Sequence, residues 1–496
     1  MSARDSMTSS LPVPGAVVRV ERDSLGPKSV PADAYYGIHT ARAVENFPIS
    51  GIPLSAHPDF IDALAAVKQA AALTNRELGI LDNATAAAIV GACEEIRNGH
   101  WHDSFVVDVI QGGAGTSTNM NTNEVVANRA LELLGHPRGD YSRVHPLEHV
   151  NRSQSTNDVY PTAIKIALHV QILRLHGTLQ ELSEAFQDKA EEFADVLKMG
   201  RTQLQDAVPM TLGQEFGTYA VMVAEDAQRL LETRELISEI NLGGTAIGTG
   251  LNAHPRYTAT VCEKLSELTR LRLVTATDLV EATQDVGVFM QVSGVLKRTA
   301  MKLSKICNDL RLLSSGPQAG FNEINLPPVQ AGSSIMPGKV NPVIPEAVNQ
   351  VAFEVAGNDV TIAMAAEAGQ LQLNAFEPII AHSLFQSVTH LDAACRSLIT
   401  KCVTGISANR DRLQESVTNS IGIITALNPY IGYDVSARIA KRAMASGQTV
   451  PDLIVEEGLL TAEEVTALLR PEALVAPREP MSMPKTQLSQ AKEAAR

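Results

Sequence analysis

Long runs of helical periodicity constrain the fold of this chain more than any other feature of its sequence. Between Pro161 and Leu197, apolar residues recur every three or four positions, with Glu, Gln and Lys between them. Four similar patterns follow, at residues 211–240, 276–313, 345–371 and 378–406. A succession of long helices is typical of an elongated up-and-down bundle, which leaves little room for strands.

Helices of this length also indicate how the chain assembles and divides. They exceed the average of about 11 or 12 residues, and one chain seldom covers their apolar stripes alone, so we expect an oligomer. A length of 496 residues predicts more than one domain. The expected parts are a flexible N-terminal extension (1–15), a mainly helical N-terminal domain (16–156), a central helical bundle (157–411), a small helical C-terminal domain (412–476) and a flexible tail (477–496).

Composition disfavours several classes of partner and site. A formal net charge of −14 disfavours nucleic acid and anionic membranes, because both repel an acidic surface. The sequence has no apolar run of about 18 residues that could span a membrane, and its start lacks the apolar core of a secretory signal, so we expect a cytoplasmic protein. The five cysteines form no CxxC pair, which predicts buried free thiols rather than disulfides or a zinc site.

Two segments rich in Gly, Ser, Thr and Asn lie around the boundary into the bundle. Residues 111–124 read QGGAGTSTNMNTNE, and residues 149–158 read HVNRSQSTND. Such runs present many donors at short range and can hold a carboxylate without a metal. The alternative is a pair of ordinary capped turns, with Asn157 or Asp158 opening the next helix.

A further polar segment, GRTQLQDAVP at residues 200–209, separates two of the long helices. It is followed by the glycine-rich stretch GGTAIGTG at 243–250, whose spacing superficially suggests a dinucleotide loop. Dinucleotide loops follow a buried strand, whereas residues 229–240 have a helical pattern. We therefore reject the nucleotide interpretation.

The segment at residues 314–341 is too long for an ordinary connection. Structureless connections beyond about 12 to 15 residues are usually functional lids or disordered. This one ends in GSSIMPGKVN (332–341), which combines Ser, Lys and Asn with glycine and proline. Such a segment could close over a substrate and exclude water, so we predict a lid.

Residues 145–149, HPLEH, match the H-x-x-E-H motif of zinc peptidases, which requires both histidines on one helical face. Pro146 disfavours the helical region for His145, so the two rings should not align. We therefore predict no metal site there.

Taken together, these segments resemble a known family. GSSIMPGKVNP (332–342) is similar to the signature of the fumarase and aspartase superfamily, and the other segments occur in the order and rough spacing of that superfamily. The resemblance covers nearly the whole chain apart from the terminal extensions. It implies a mainly α fold of three domains with a central elongated five-helix bundle. It also implies a homotetramer whose bundles form one twenty-helix core, with composite active sites from three subunits.

Within the superfamily, the motifs favour the ammonia-lyase branch. Residues 111–121, 201–210 and 343–351 resemble aspartases, and fumarases typically have histidine at the position of Gln203, although some aspartases do too. The implied reaction is the reversible deamination of L-aspartate to fumarate and ammonia; the alternative is hydration of fumarate to L-malate. A non-catalytic structural protein on the same scaffold is a further alternative, which the motif residues Ser333, Lys339 and Asn341 disfavour.

The implied reaction removes a proton from the carbon next to a carboxylate, which is a weak acid in water. The aci-carboxylate intermediate carries two negative charges on one carboxylate, so preorganised donors should supply most of the rate. The resemblance implies that Ser333 in the lid is the general base, activated by desolvation and by Lys339; the alternative is that Ser333 only caps or binds. The implied donors to the intermediate are Thr116, Ser155, Thr156 and Ser334.

The resemblance assigns two further groups: Lys339, Asn341 and Thr202 at the other carboxylate, and Asn157 and Gln203 at the departing amino group. Glu346 would support the site from outside the substrate-contacting residues, or would be a solvated glutamate opening the next helix. This donor set requires no organic cofactor and no metal ion, although divalent ions modulate some members of the family.

Overall fold

The computed structural model describes residues 17–332, 335–336 and 338–475, and the fold in these ranges is mainly α-helical, as predicted. The two terminal segments expected to be flexible, 1–15 and 477–496, lie outside the described residues. The α-helices in the described ranges are α1 (Ile38–Asn46), α2 (Pro58–Glu77), α3 (Asn83–Arg97), α4 (Thr116–Leu133), α5 (Thr156–Glu192), α6 (Leu212–Leu236), α7 (Tyr257–Thr269), α8 (Glu281–Gln284), α9 (Gly287–Leu313), α10 (Val343–Glu367), α11 (Glu377–Lys401), α12 (Arg410–Asn419), α13 (Asn428–Ile431), α14 (Tyr433–Ser446), α15 (Val450–Glu456), α16 (Ala462–Leu468) and α17 (Pro471–Leu474).

The strands in the described ranges pair two by two. The pairs are β1 (Val18–Asp23) with β2 (Gly26–Pro31), β3 (Leu197–Thr202) with β4 (Gln205–Thr211), β5 (Glu239–Ile240) with β6 (Val274–Thr275), and β7 (Ile324–Asn325) with β8 (Ser407–Ala408). All are antiparallel except the β5–β6 pair.

The long helices predicted from periodicity are present as α5, α6, α9, α10 and α11. The pattern that begins at residue 276 is divided between α8 and α9. Asp278 accepts hydrogen bonds from the backbone N–H groups of residues 280 and 281, and Asp285 accepts one from Gly287. Because each aspartate side chain satisfies N–H groups that a continuous helix would use, two helices begin where one was predicted.

The start of α5 differs from the prediction, because the helix begins at Thr156 and contains Pro161. Proline has no N–H, so it frees the carbonyl oxygen four residues earlier, that of Asn157. The side-chain amide of Asn241 donates to this oxygen at 3.0 Å, which replaces the missing helical hydrogen bond. The helix can therefore continue through the proline.

The expectation that strands have little room in the bundle was wrong at residues 197–211. There β3 and β4 form an antiparallel hairpin between α5 and α6. Its turn is made by Gln203 and Leu204, whose φ values are +55° and +61°. Positive φ at both central residues is typical of the turns that favour tight hairpins, but glycine or asparagine usually occupies them.

Two compact units make up the chain: unit 1 (1–177, 226–301 and 351–392) and unit 2 (178–225, 302–350 and 393–496). In unit 1, α2 is buried along most of its length and contributes Phe60, Ile61 and Leu64 to the core. In unit 2, Phe216 packs against Phe193 and Tyr219, with ring centroids 5.4 and 5.6 Å apart. A second cluster in unit 2 is formed by the apolar faces of the C-terminal helices.

All five cysteines are free and buried, as predicted. In the described ranges, no helix is both long enough and apolar enough to cross a membrane.

Candidate active site

The N-terminus of α4 is shaped by three consecutive residues with positive φ: Gly113 (+87°), Ala114 (+53°) and Gly115 (+86°). A Cβ atom on Gly115 would lie 2.2 Å from the ring of Tyr160, so only glycine fits at that position. This turn presents Thr116, the first residue of α4, at the surface. Its hydroxyl donates to the carbonyl oxygen of Gly113 at 2.7 Å.

Ser155 caps the N-terminus of α5. Its hydroxyl oxygen accepts from the N–H of Asn157 at 3.3 Å, and its own N–H donates to Oδ1 of Asp158 at 3.0 Å. The capped turn considered from the sequence is therefore present, with Ser155 as the cap rather than Asn157 or Asp158. Capping does not exclude binding, because a hydroxyl that accepts from a backbone N–H retains its own proton to donate.

Lys68, which the sequence analysis did not single out, lies beneath both polar segments. Its side chain, on α2, is fully buried. The Nζ atom donates to the amide oxygens of Asn119, Asn151 and Gln154 at 2.7, 2.9 and 3.0 Å. Burial lowers the pKa of Lys68 to about 7, and the nearby charge of Asp158 opposes this effect.

Asn119 connects this buried ammonium to Thr156. The amide oxygen of Asn119 accepts from Lys68, and its amide nitrogen donates to Oγ1 of Thr156 at 3.0 Å. The threonine hydroxyl still has its proton to donate. Chains of hydrogen bonds polarise one another, so the arrangement makes Thr156 a stronger donor to an anion. It also links the segments 111–124 and 149–158.

The glycine-rich stretch 243–250 braces the start of α5. Oδ2 of Asp158 accepts from the N–H groups of Gly243 and Thr245 at 3.0 and 2.9 Å. Burial raises the pKa of Asp158 to about 6, and these backbone hydrogen bonds oppose the rise. The Nδ2 atom of Asn157 donates to the carbonyl oxygen of Ala246 at 2.7 Å. These contacts give the glycines a structural role. The helical pattern predicted over residues 229–240 was wrong at its end, because α6 ends at Leu236 and the two-residue strand β5 (Glu239–Ile240) lies just before the glycines.

Thr202 and Gln203 lie at the closed end of the β3–β4 hairpin. Thr202 pairs with Gln205 in the last rung of the ladder, and Gln203 is the first residue of the turn. Both side chains are exposed. The hairpin therefore presents them to whatever lies beyond its turn.

The segment predicted to be a lid connects α9 to α10, and the described part of it forms no helix. Ser333 and Ser334 lie outside the described residues. Lys339 is exposed and, with Asn341, lines a cavity of about 710 Å³. Arg311, near the end of α9, lines the same cavity and donates to Oδ1 of Asn349 at 3.2 Å. Arg311 is a second cation at this cavity, and no motif of the sequence indicates it.

Glu346 lies half-buried in the first turn of α10. An acidic side chain is favoured there by the helix dipole, whether or not it supports the site.

The histidine pair at residues 145 and 149 has no metal-binding geometry. His145 is extended, with φ −97° and ψ 133°, and precedes a π-helical turn over Pro146–Val150. The Nδ1 atom of His149 accepts from the N–H of His145 at 2.8 Å. Among the described residues, no group of three or more His, Cys, Asp or Glu side chains could hold a metal ion.

The described site residues fall into two sets. Unit 1 contains Thr116, Ser155, Thr156 and Asn157, and unit 2 contains Thr202, Gln203, Lys339, Asn341 and Glu346.

Comparison with known proteins identifies the family to which this chain belongs. A family described as "Lyase" matches residues 26–357, and one described as "Fumarase C C-terminus" matches residues 423–476. The chain therefore belongs to the fumarase and aspartase superfamily of lyases. It is 56% identical over 460 residues to an aspartate ammonia-lyase of Helicobacter pylori strain J99, covering 93% of this chain and 98% of the relative.

Two solved structures have the same fold. A fumarate lyase:delta crystallin of Brucella melitensis has a TM-score of 0.90 and 54% identity, covering 92% of this chain and 100% of that chain. A class II fumarase of Schistosoma mansoni has a TM-score of 0.87 and 37% identity, covering 92% and 98% respectively. The superfamily predicted from the motifs is thus confirmed.

Proposed function

We propose that this chain is an aspartate ammonia-lyase, which converts L-aspartate reversibly into fumarate and ammonia. The observation that carries the proposal is the 56% identity to a relative of that name over nearly the whole of both chains. Identity to the class II fumarase is 37% over a similar share of the chain. The ammonia-lyase reaction therefore has more support than hydration of fumarate.

In the proposed mechanism, hydroxyl groups of unit 1 stabilise the aci-carboxylate intermediate. Thr156 receives a hydrogen bond from Asn119 and keeps its proton for the substrate, and Ser155 keeps its proton while it caps α5. Donors that are fixed before the reaction stabilise developing charge without reorganisation, which makes such contacts effective in catalysis. Thr116 joins them once its hydroxyl turns away from Gly113.

Ser333 is the proposed general base, and Ser334 a further donor to the intermediate. A serine removes a proton from carbon only when its ionised form is favoured, which requires exclusion of water and a nearby cation. Lys339, six residues further along the same segment, supplies such a charge. Met336 and Val340 are 47% and 51% exposed, and closure of the segment over substrate would cover apolar surface of this kind.

The remaining groups hold the two ends of the substrate. Lys339, Asn341 and Thr202 bind the carboxylate that does not take up the developing charge. Asn157 donates its amide N–H to Ala246, which leaves its amide oxygen as an acceptor for the departing ammonium. Gln203 is the second acceptor, and Glu346 supports Lys339 and Asn341 from the start of α10.

We also propose a homotetramer with composite sites, and a cytoplasmic location. Phe353, Val360 and Met364 are 63%, 58% and 68% exposed, and their spacing of seven and four residues aligns them on one face of α10. An exposed apolar stripe of this kind is typical of an interface between subunits. The five free thiols suit a reducing compartment.

The test is to mix purified protein with L-aspartate and follow the absorbance of fumarate, with L-malate assayed in parallel. Formation of fumarate and ammonia from aspartate supports the proposal. Fumarate formed from malate while aspartate stays unchanged would assign the hydratase reaction instead.

Replacing the proposed base tests the mechanism. Ser333→Ala should lower kcat by at least about 100-fold, the usual minimum for removing a general acid or base, while the tetramer is retained. Ser446→Ala, an exposed serine at the end of α14, is the matched control and should have wild-type kinetics. Unchanged turnover of Ser333→Ala would remove Ser333 as the base.

A further inference from the structure

Four charged side chains lie together in unit 2, beneath the β3–β4 hairpin. Oε2 of Glu323 lies 2.7 Å from Nζ of Lys198, and its Oε1 lies 2.6 Å from Nη2 of Arg201. Nζ of Lys198 also donates to Oε2 of Glu215 at 2.5 Å. Lys198 and Glu323 are each only 2% exposed. Two cations and two anions therefore balance each other in a site where an unpaired charge would be costly.

The geometry of β3 allows two of its side chains to meet one carboxylate. Lys198 and Arg201 are three residues apart and would point to opposite faces of a regular strand. The ladder changes register between Met199 and Arg201, where β4 contains one residue more than β3. Such a bulge increases the local twist of a hairpin, and here both side chains reach Glu323.

Glu323 belongs to the lid segment and is fixed at the point where that segment leaves α9. Its N–H donates to the carbonyl oxygen of Leu313 at 2.9 Å, and its carbonyl oxygen accepts from the N–H of Asn409 at 2.9 Å. The guanidinium of Arg201 also lies 4.3 Å from the ring centroid of Phe321, another residue of the segment. Arg201 is thus held by two residues at the base of the lid.

Arg201 lies next in sequence to two residues that are proposed to bind substrate. Arg201 immediately precedes Thr202 and Gln203. Both of these side chains are exposed, and the turn that carries them has strained backbone at Gln203 and Leu204. A strained, exposed turn holds its conformation only where the surrounding structure fixes it, and the ion pair to Glu323 is adjacent to it.

We propose that the Arg201–Glu323 ion pair is a positioning device, which fixes Thr202 and the adjoining Gln203–Leu204 turn against the base of the lid segment. The inference rests on the proposed function, because it assumes that this turn holds substrate. Neither Arg201 nor Glu323 contacts substrate in this arrangement. Their role is to place the turn and the start of the lid in one geometry.

Arg201→Gln is the first test variant, since Arg201 is partly exposed whereas Glu323 lies next to a buried lysine. We expect kcat/KM for aspartate to fall by about 100-fold, as a misplacement of about 1 Å can produce. The fall should appear mainly in KM, and in the reverse reaction the KM for ammonium should rise because Gln203 is displaced. Arg201→Lys keeps the charge and should recover part of the loss.

Arg410→Gln is the control, because it removes an ion pair to Asp195 between exposed side chains of the same unit. It should leave every kinetic constant unchanged. Wild-type KM values for aspartate and ammonium in a folded Arg201→Gln enzyme would overturn the proposal. So would loss of the folded tetramer in both Arg201 variants, which would assign the pair to stability alone. If the wild-type chain leaves aspartate unchanged, the proposed function fails first, and that result is distinct from either of these.

Discussion

At the residue scale, the proposed anion pocket depends on the buried side chain of Lys68, which contacts no substrate. Lys68→Met should lower the free energy of unfolding by about 1–3 kcal/mol for each amide oxygen left without a donor. Asn119 and Gln154 each lose the donor provided by Lys68. Turnover should fall too, because Asn119 would no longer fix Thr156. Urea unfolding and steady-state kinetics measure the two effects.

Lys264→Met is the matched control for this substitution. Lys264 is more exposed and pairs with Glu77 across 3.5 Å. Ion pairs at the surface contribute about 0–1 kcal/mol, so both stability and turnover should change little. Wild-type kinetics in Lys68→Met would show that Thr156 functions without the buried lysine.

His57 should make the stability of the protein depend on pH. Its ring lies 3.1 Å from that of His382, and burial, followed by the charge of His382, lowers its pKa to about 4. The unfolded chain binds this proton near pH 6.5, so the folded state binds fewer protons between pH 6.5 and 4 and loses stability as pH falls. From pH 7 to 5 the loss due to His57 should be about 2 kcal/mol.

His57→Asn removes this titration, so its free energy of unfolding should decrease less between pH 7 and 5 than that of the wild type. The proteins are compared by the slope of the free energy of unfolding against pH and not by its absolute value, because the substitution also changes packing against Phe385. His100→Asn, at an exposed histidine, should keep the wild-type slope. Equal slopes in all three proteins would contradict the role of His57.

Single residues could be assigned from the sequence where a motif contained them. The segment 149–158 stood out because small polar residues occur where helical periodicity stops, and the resemblance to the superfamily assigned roles to Ser155, Thr156 and Asn157 within it. Lys68 was not, because it lies within an alanine-rich helix, where a lysine is normally expected to extend to solvent. Its partners are 51 to 86 residues away in sequence, so no local pattern indicates the buried network.

At the element scale, periodicity predicted the long helices well because their apolar faces are repeated over many turns. It failed at the β3–β4 hairpin for a specific reason. The turn contains Gln203 and Leu204, and neither residue signals positive φ in a sequence. At Pro161 the sequence predicted a helix start, whereas the helix continues through the proline. The side chain that replaces the missing hydrogen bond, that of Asn241, is distant in sequence, so no local pattern indicates it.

The turn of this hairpin offers a test at the same scale. Leu204 is 66% exposed with φ +61°. Relief of left-handed strain gains about 1–2 kcal/mol, and the entropy of a new glycine costs about 0.5–1 kcal/mol. Leu204→Gly should therefore leave stability unchanged or raise it by up to about 1.5 kcal/mol. Leu204→Val should lower it, because a β-branched side chain fits this conformation poorly.

Leu25→Gly is the control for the hairpin. Leu25 lies in the turn between β1 and β2, is 78% exposed and is not among the residues with positive φ. It has no left-handed strain to lose, so glycine there should lower stability by about 0.5–1 kcal/mol. Equal losses for both glycine variants, measured by urea unfolding, would show that the Leu204 turn is not strained.

At the scale of the whole molecule, both the net charge and the assembly of the chain affect how the proposed site binds an anionic substrate. The chain has a net charge of −14, and the proposed substrate has two carboxylates and a net negative charge, so distant electrostatics oppose binding. Arg311 and Lys339 place two cations at one cavity. Their attraction for a carboxylate bound there acts over a short distance, so it outweighs the repulsion from distant surface charges, which salt screens. Lys339 and Thr156 belong to different units of the chain. In the proposed composite site, these two residues come from different subunits.

Hybrid tetramers test that assembly directly. Thr156→Val and Ser333→Ala should each be nearly inactive alone. If Thr156 and Ser333 of one site come from different subunits, a mixed tetramer contains sites with both wild-type residues. Random mixing of equal amounts should restore about one site in four, by the symmetry of the assembly. Co-expression with two affinity tags isolates the hybrids for the fumarate assay. Activity that stays at the level of the separate variants would mean that both residues of each site come from one chain, and the composite site would be wrong.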